Sequence, residues 1–244
     1  MQLVIDIGNT RIKAALFQKD QLLEFLVFKD YQEVLESVLF KNNLSINNCI
    51  VASVVDDINA FVDGLAKKVN VLVFTSETPL PIKNLYETTS TLGSDRLAAA
   101  VGGELLFPGQ DILVIDAGTC IKYNFVNEKK EYIGGAISPG LQMRFKALNT
   151  FTSRLPLLEV DPNFDSLIGV NTKGSILSGV EMGALAEVKG FIDEYKLISP
   201  NLKVLITGGD VNFFEKRLKN SIFADSYLIL KGLNRILNYN IKEE

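Results

Sequence analysis

The sequence predicts a duplicated α/β architecture, two similar α/β halves around a central cleft. Three observations predict it. Residues 3–10 read LVIDIGNT and residues 113–120 read LVIDAGTC, the same apolar run with an Asp and, two places on, a Gly. Each copy leads into a similar stretch, RIKAALF after the first and IKYNFV after the second. Each then passes into alternating helical and strand-like segments, the order that covers a sheet with helices.

Taken in order, MQLVIDI, RIKAALFQ and LLEFLVF read as strands separated by hairpin signals, with no helix between them. YQEVLESVLFKNN has helical spacing, with Val34, Leu35, Val38 and Leu39 on one face. CIVASVV and VNVLVF read as buried strands flanking a helix near 57–68, a β-α-β unit. A Pro- and Thr-rich loop (77–92) leads to LGSDRLAAAVGGELLF, a helix with Asp95 in its first turn. In the second half DILVIDAG, CIKYNFV and YIGGAIS form another meander, with NEKKE as a charged turn. Helices near 140–149 and 174–197, the strand KVLITGG, a helix near 211–219, a short strand and a helix near 230–238 complete the chain. The boundary falls near PGQD (108–111), giving domains 1–110 and 111–244, with the final helix free to return to the first half.

The 244 residues are 47% hydrophobic and 22% charged, enough apolar material for a substantial core. No apolar run reaches the ~18 residues of a membrane span, and MQLVIDI has no basic leader, so a cytoplasmic protein without membrane attachment is expected. Two cysteines, Cys49 and Cys120, make no disulfide framework. A net charge of −4 disfavours nucleic acid as a partner. The chain contains no histidine. That removes the commonest general base, Ser–His and Cys–His nucleophiles and nearly all zinc sites, so acid–base chemistry falls to carboxylates, lysines or tyrosines.

No two glycines stand two positions apart, which excludes a Rossmann G-x-G-x-x-G. GVNTKGS (169–175) has Walker-like glycine spacing without the Lys after its second glycine, and reads as a loop entering the long helix. What remains is the repeated strand–Asp–x–Gly turn. A strand ending in Asp places that carboxylate at the sheet edge, where open α/β sheets bind ligands. Gly8 permits a tight turn whose backbone N–H groups, Asn9 included, can point at phosphate, and Thr10 and Thr119 add hydroxyl donors. Arg11 and Lys13 can neutralise phosphate charge, and Asp6 and Asp116 can bind a cation directly or through water. A single D-x-G is ordinarily a strand-ending turn capped by its Asp. Two copies at equivalent points of a duplicated unit favour the phosphate-binding reading. TGGD (207–210), with Gly208 and Gly209, makes a third turn past which a base or ribose could slide.

The paired turns and the late T-G-G resemble the actin/hexokinase (ASKHA) superfamily of phosphotransferases. More closely, the chain resembles type III pantothenate kinases. DIGNTRIK (6–13), LGSDR (92–96), DAGT (116–119), GGAISPG (134–140), GVNT (169–172) and TGG (207–209) carry the match, in family order and across nearly the whole chain. The resemblance implies a duplicated actin-like (ribonuclease H-like) fold and ATP-dependent phosphorylation of pantothenate to 4'-phosphopantothenate, with Mg²⁺ and a monovalent cation, K⁺ or NH₄⁺. It places ATP at Asp6, Gly8, Asn9, Thr10, Arg11, Lys13, Thr119, Gly208 and Gly209, and pantothenate at Tyr86, Gly93, Ser94, Asp95, Arg96 and Thr172.

Within that frame Asp95 is the expected base, since no histidine is present and it opens a helix whose dipole favours negative charge. Arg96 is expected to clamp the pantothenate carboxylate, whose geometry its guanidinium fork matches. Asp6 is expected to serve Mg²⁺, and Asp116 the monovalent cation. The resemblance further implies a homodimer, with Thr172 reaching the partner's pantothenate site and Gly179, Gly183 and Gly190 on the interface helix. The chain departs from the family pattern after Tyr86, where it reads ETTST, and at Cys120–Ile121, where the family has Thr-Thr. Two other readings stand beside this one: an ASKHA-type kinase for a sugar or carboxylate, and a non-catalytic regulatory relative.

Overall fold

The computed structural model describes residues 1–8, 11–37, 45–55, 57–218 and 222–241. They form two compact units: residues 1–108 with 130–132 and 227–244, and residues 109–129 with 133–226.

The first unit is built on a five-stranded sheet. Its strands are β1 (Gln2–Ile7), β2 (Ile12–Gln18), β3 (Gln21–Phe28), β4 (Asn48–Ser53) and β5 (Asn70–Val73), in the order β3-β2-β1-β4-β5. The hairpins make β1–β2 and β2–β3 antiparallel, while β4 and β5 run parallel to β1. Leu3, Val4 and Ile5 are fully buried, which explains why the strand reads as an unbroken apolar run. Helix α1 (Tyr31–Leu35) starts at Asp30, whose carboxylate accepts from Glu33 N–H. Of the residues expected on its apolar face, Val34 is buried, while Val38 and Leu39 lie outside the described residues. Helix α2 (Asn59–Ala66) buries Phe61 and Leu65 against the sheet.

Helix α3 (Ser94–Leu106) and the C-terminal helix α8 (Leu228–Asn240) pack together in this unit. Their contact explains glycines inside helices, where each costs up to ~1 kcal/mol relative to Ala. A Cβ on Gly232 would stand 1.9 Å from Ala98 O, and one on Gly102 2.5 Å from Leu228 O. The short strand β6 (Lys83–Asn84) pairs with Glu131 and Tyr132, the first residues of β9 (Glu131–Pro139).

The second unit repeats the plan with β7 (Ile112–Ala117), β8 (Cys120–Val126), β9, β10 (Lys203–Thr207) and β11 (Phe223–Ala224), in the order β11-β10-β7-β8-β9. Strand β8 is antiparallel to β7 and β10 is parallel to it, so β7 takes the place that β1 holds in the first sheet. Helices α4 (Leu141–Thr150), α5 (Thr172–Leu177), α6 (Gly183–Ile198) and α7 (Val211–Arg217) complete the unit.

The sequence predicts one helix over 174–197; the structure interrupts it with a π turn at Ser178–Met182. Gly179 and Gly183 weaken the helix there, and the fully buried Glu181 on the turn accepts the N–H of Asp161 at 2.8 Å. Arg217 stands 3.7 Å from the same carboxylate and donates to Phe164 O at 2.9 Å, tying the 161–164 loop to α7.

Candidate active site

In the first unit Asp6 ends β1 opposite Lys13 on β2 and Ala52 on β4, and is 8% exposed. Gly8 N–H donates to Arg11 O at 3.1 Å and closes the turn. A Cβ at Gly8 would stand 3.4 Å from Arg11 O, an ordinary contact among the described residues. Arg11 is exposed and Lys13 half-buried. Asn9 and Thr10 lie outside the described residues.

The LGSDR segment forms the start of α3. Gly93 precedes the first turn, and a Cβ there would come 2.7 Å from Asp95 Oδ1, so glycine leaves room for the carboxylate to fold back over the helix start. Ser94 Oγ donates to Ser53 O at 3.3 Å, tying the helix start to the end of β4, the strand beside Asp6. Arg96 is 5% exposed. Its guanidinium lies 5.6 Å from the ring centre of Tyr86 and 6.0 Å from that of Tyr132, within cation–π range. Tyr86 N–H is held by Asn84 Oδ1 at 3.0 Å. The structure thus gathers Tyr86, Asp95 and Arg96 into one neighbourhood. Sequence reasoning missed Tyr132: in YIGGAIS it looks like strand core, and nothing local announces that it faces an arginine.

In the second unit Asp116 ends β7, 7% exposed, between Lys122 on β8 and Thr207 on β10. Lys122 Nζ donates to Asp116 Oδ2 at 2.7 Å. Burial, and then the charge of Asp116, push the Asp210 carboxyl up to about 6. Asp210 N–H bonds Ala117 O at 2.9 Å, pinning the TGGD turn onto the end of β7. Gly208 there has φ 99°, and a Cβ would collide with Ala117 O at 2.2 Å, so both conformation and space require glycine. Gly140, at the start of α4, leaves no room either: its Cβ would meet Gly118 O at 2.0 Å. Three chain segments therefore meet backbone to backbone around DAGT, with Thr119 and Gly209 exposed on them. Neither Lys122 nor Asp210 was expected here; the Asp-x-Gly pattern does not reach them.

Thr172 opens α5 behind Asn171, whose side chain accepts Gly174 N–H at 2.8 Å. The Walker-like segment is thus a capped helix start. An open groove of about 740 Å³, lined by Gln110, Asp111, Glu128, Pro200 and Lys203, lies at the opposite end of β7 and β10 and holds none of the expected site residues. Among the described residues, no three His, Cys, Asp or Glu side chains converge as a metal-binding group, and no helix is long and apolar enough to cross a membrane.

Two sheets, each with a strand–Asp–x–Gly turn at the same point, define the actin-like class of α/β folds to which the hexokinase-type phosphotransferases belong. Solved structures agree. A Campylobacter jejuni protein described as of the Baf family of transcriptional activators aligns with a TM-score of 0.63 at 22% identity, covering 98% of each chain. The inorganic polyphosphate/ATP-glucomannokinase of Arthrobacter sp. strain KM aligns with a TM-score of 0.53 at 15% identity, covering 98% of this chain and 99% of its own. The chain belongs to the type III pantothenate kinase family, whose description matches residues 2–194. Proteins named type III pantothenate kinase from Bacteroides fragilis (49% identical, 98% of each chain) and Flavobacterium johnsoniae (45% identical, 100% of each chain) match it over essentially their whole length.

Proposed function

We propose that the protein is an ATP-dependent pantothenate kinase, catalysing the first step of coenzyme A biosynthesis in the cytoplasm. The structural observation that carries this reading best is the start of α3. There a carboxylate, Asp95, stands next to a guanidinium, Arg96, that is buried against two tyrosines. Such a site suits an acceptor with a hydroxyl at one end and a carboxylate at the other.

In the proposed reaction the pantothenate hydroxyl oxygen attacks the γ-phosphorus of ATP, the bond to the β-phosphate oxygen breaks, and ADP leaves. Asp95 takes the hydroxyl proton late, as a weak base suffices in a loose transition state. Arg96 holds the pantothenate carboxylate through paired, charge-assisted hydrogen bonds, with Tyr86, Gly93 and Ser94 beside it. Gly8, Arg11 and Lys13, with Asn9 and Thr10, contact phosphate, as does Thr119. Gly208 and Gly209 face the nucleoside. Asp6, a nearly buried carboxylate at a strand end, fits a hydrated Mg²⁺, which neutralises triphosphate charge and needs only one or two protein carboxylates.

A monovalent cation, K⁺ or NH₄⁺, is assigned to Asp116, where it shares the carboxylate with the Lys122 ammonium. The proposed assembly is a homodimer in which Thr172 serves the partner's pantothenate site. Two observations support it: Leu167, Ile168 and Val170, just before Thr172, are 77%, 77% and 91% exposed, and among the described residues no atom beyond the helix's own neighbouring backbone lies within 4 Å of a Cβ placed on Gly179, Gly183 or Gly190.

The deciding experiment measures ADP release with pantothenate against a panel of sugars, in potassium and in sodium. Turnover of pantothenate alone is expected; turnover of a sugar but not pantothenate overturns the reading, and no turnover of either supports the regulatory one. For the dimer, subunits carrying Asp95→Asn and Thr172→Val are mixed. If Thr172 acts across the interface, activity returns, because mixed dimers contain one site with both residues intact. A fully active monomer refutes it.

A further inference from the structure

The junction between β9 and α4, residues 138–140, is held by side chains as well as by backbone. Pro139 has no N–H to give a ladder, and Ile137 before it is 60% exposed. Glu187 of α6 adds side-chain bonds to this junction. Its Oε1 accepts Ser138 Oγ at 2.5 Å and Tyr123 Oη at 3.1 Å, and its Oε2 accepts Arg144 Nη2 at 2.6 Å. Arg144 also donates from Nε to Pro139 O at 2.8 Å. One carboxylate therefore ties β8, the end of β9, α4 and α6 to each other.

Burial by itself raises the Glu187 carboxyl, but its bonds from Arg144, Ser138 and Tyr123 outweigh that and hold it below the usual carboxylate range. The clamp is thus charged at neutral pH. What it clamps matters. Gly140 N–H donates to Thr119 O at 3.1 Å, and the Gly140 backbone lies so close that a Cβ would meet Gly118 O at 2.0 Å and Thr119 O at 2.7 Å. With no side chain between them to yield, a shift of the junction passes directly to the Gly118–Thr119 turn.

We infer that Glu187 is a positioning residue for the nucleotide, acting through Ser138, Arg144 and the Gly140 contact to fix the Gly118–Thr119 turn. The inference rests on the reading of that turn as a phosphate contact. A clamp that merely stabilised the fold would, when broken, lower the melting temperature and the active fraction while leaving both KM values alone. A positioning clamp instead weakens the nucleotide and leaves pantothenate unaffected.

The test uses the full-length protein and ADP with Mg²⁺, titrated calorimetrically without acceptor. Glu187→Gln, which keeps the size and one acceptor oxygen but loses the charge and turns the other position into an NH₂ that can only donate, is expected to weaken ADP binding about tenfold, the scale usual for a group that orients a contact residue. Ser138→Ala, which removes one donor, is expected to weaken it less, and neither should change KM for pantothenate. Wild-type ADP affinity in folded Glu187→Gln and Ser138→Ala overturns the inference, as does an equal rise in both KM values. If the wild type binds ADP and Glu187→Gln weakens it, yet pantothenate is not phosphorylated, the proposed substrate fails while the positioning role stands.

Discussion

Lys122 donates to Asp116 across 2.7 Å, and strand register puts Lys13 at the same place opposite Asp6. The internal repeat therefore extends beyond the Asp-x-Gly letters to a lysine on the adjoining antiparallel strand. In the second turn the ammonium occupies one oxygen of a carboxylate that is only 10% exposed at its side chain. The monovalent cation proposed at Asp116 would share it with that charge. Lys122→Met is expected to lower the potassium concentration needed for half-maximal activation, read from ADP release in mixed K⁺/Na⁺ buffers. An unchanged requirement would separate Lys122 from the cation.

Asp95 and Arg96 are adjacent in sequence, but the roles proposed for them are separable. Asp95→Asn keeps the shape of the helix start and is expected to lower kcat at least ~10²-fold with little change in KM for ATP. Near-normal turnover would remove Asp95 from the mechanism. Arg96→Lys keeps the charge but loses the fork and is expected to raise KM for pantothenate about tenfold, the loss of one charge-assisted bond.

The α3–α8 contact predicts a stability effect with no bearing on chemistry. Gly232→Ala gains up to ~1 kcal/mol of helix propensity, but its Cβ would stand 1.9 Å from Ala98 O. Overpacking should win, with a net loss of about 1–3 kcal/mol in urea unfolding. A stabilised variant would show that the helices separate at no cost.

Asp210 predicts a pH effect of defined sign. Its folded pKa, about 6, lies above the ordinary 3.8, so the native state binds the extra proton between those values. Stability is therefore lost as pH rises through that window, and the cost of the charge is complete above it. Asp210→Asn is expected to be more stable than wild type at pH 8, with the advantage fading as pH falls from about 6 towards the ordinary 3.8, in urea unfolding at several pH values. A pH-independent difference would show that neither burial nor the Asp116 charge raises the Asp210 carboxyl.

Much of this protein is written locally. Strands β1 and β7 are legible because each is a run of buried apolar residues ending in Asp-x-Gly, a pattern set by neighbours a few residues apart. Asp95 and Arg96 are legible for the same reason, standing together where α3 begins. The rest depends on segments far apart in the chain. Tyr132 faces Arg96, the Asp116 charge acts on Asp210 and Glu187 braces Ser138, each across tens of residues that no periodicity spans. The glycines divide the same way. Among the described residues a Cβ at Gly8 meets only an ordinary contact, whereas Gly140, Gly208 and Gly232 are required by backbone from another segment, and only the packed chain could say so.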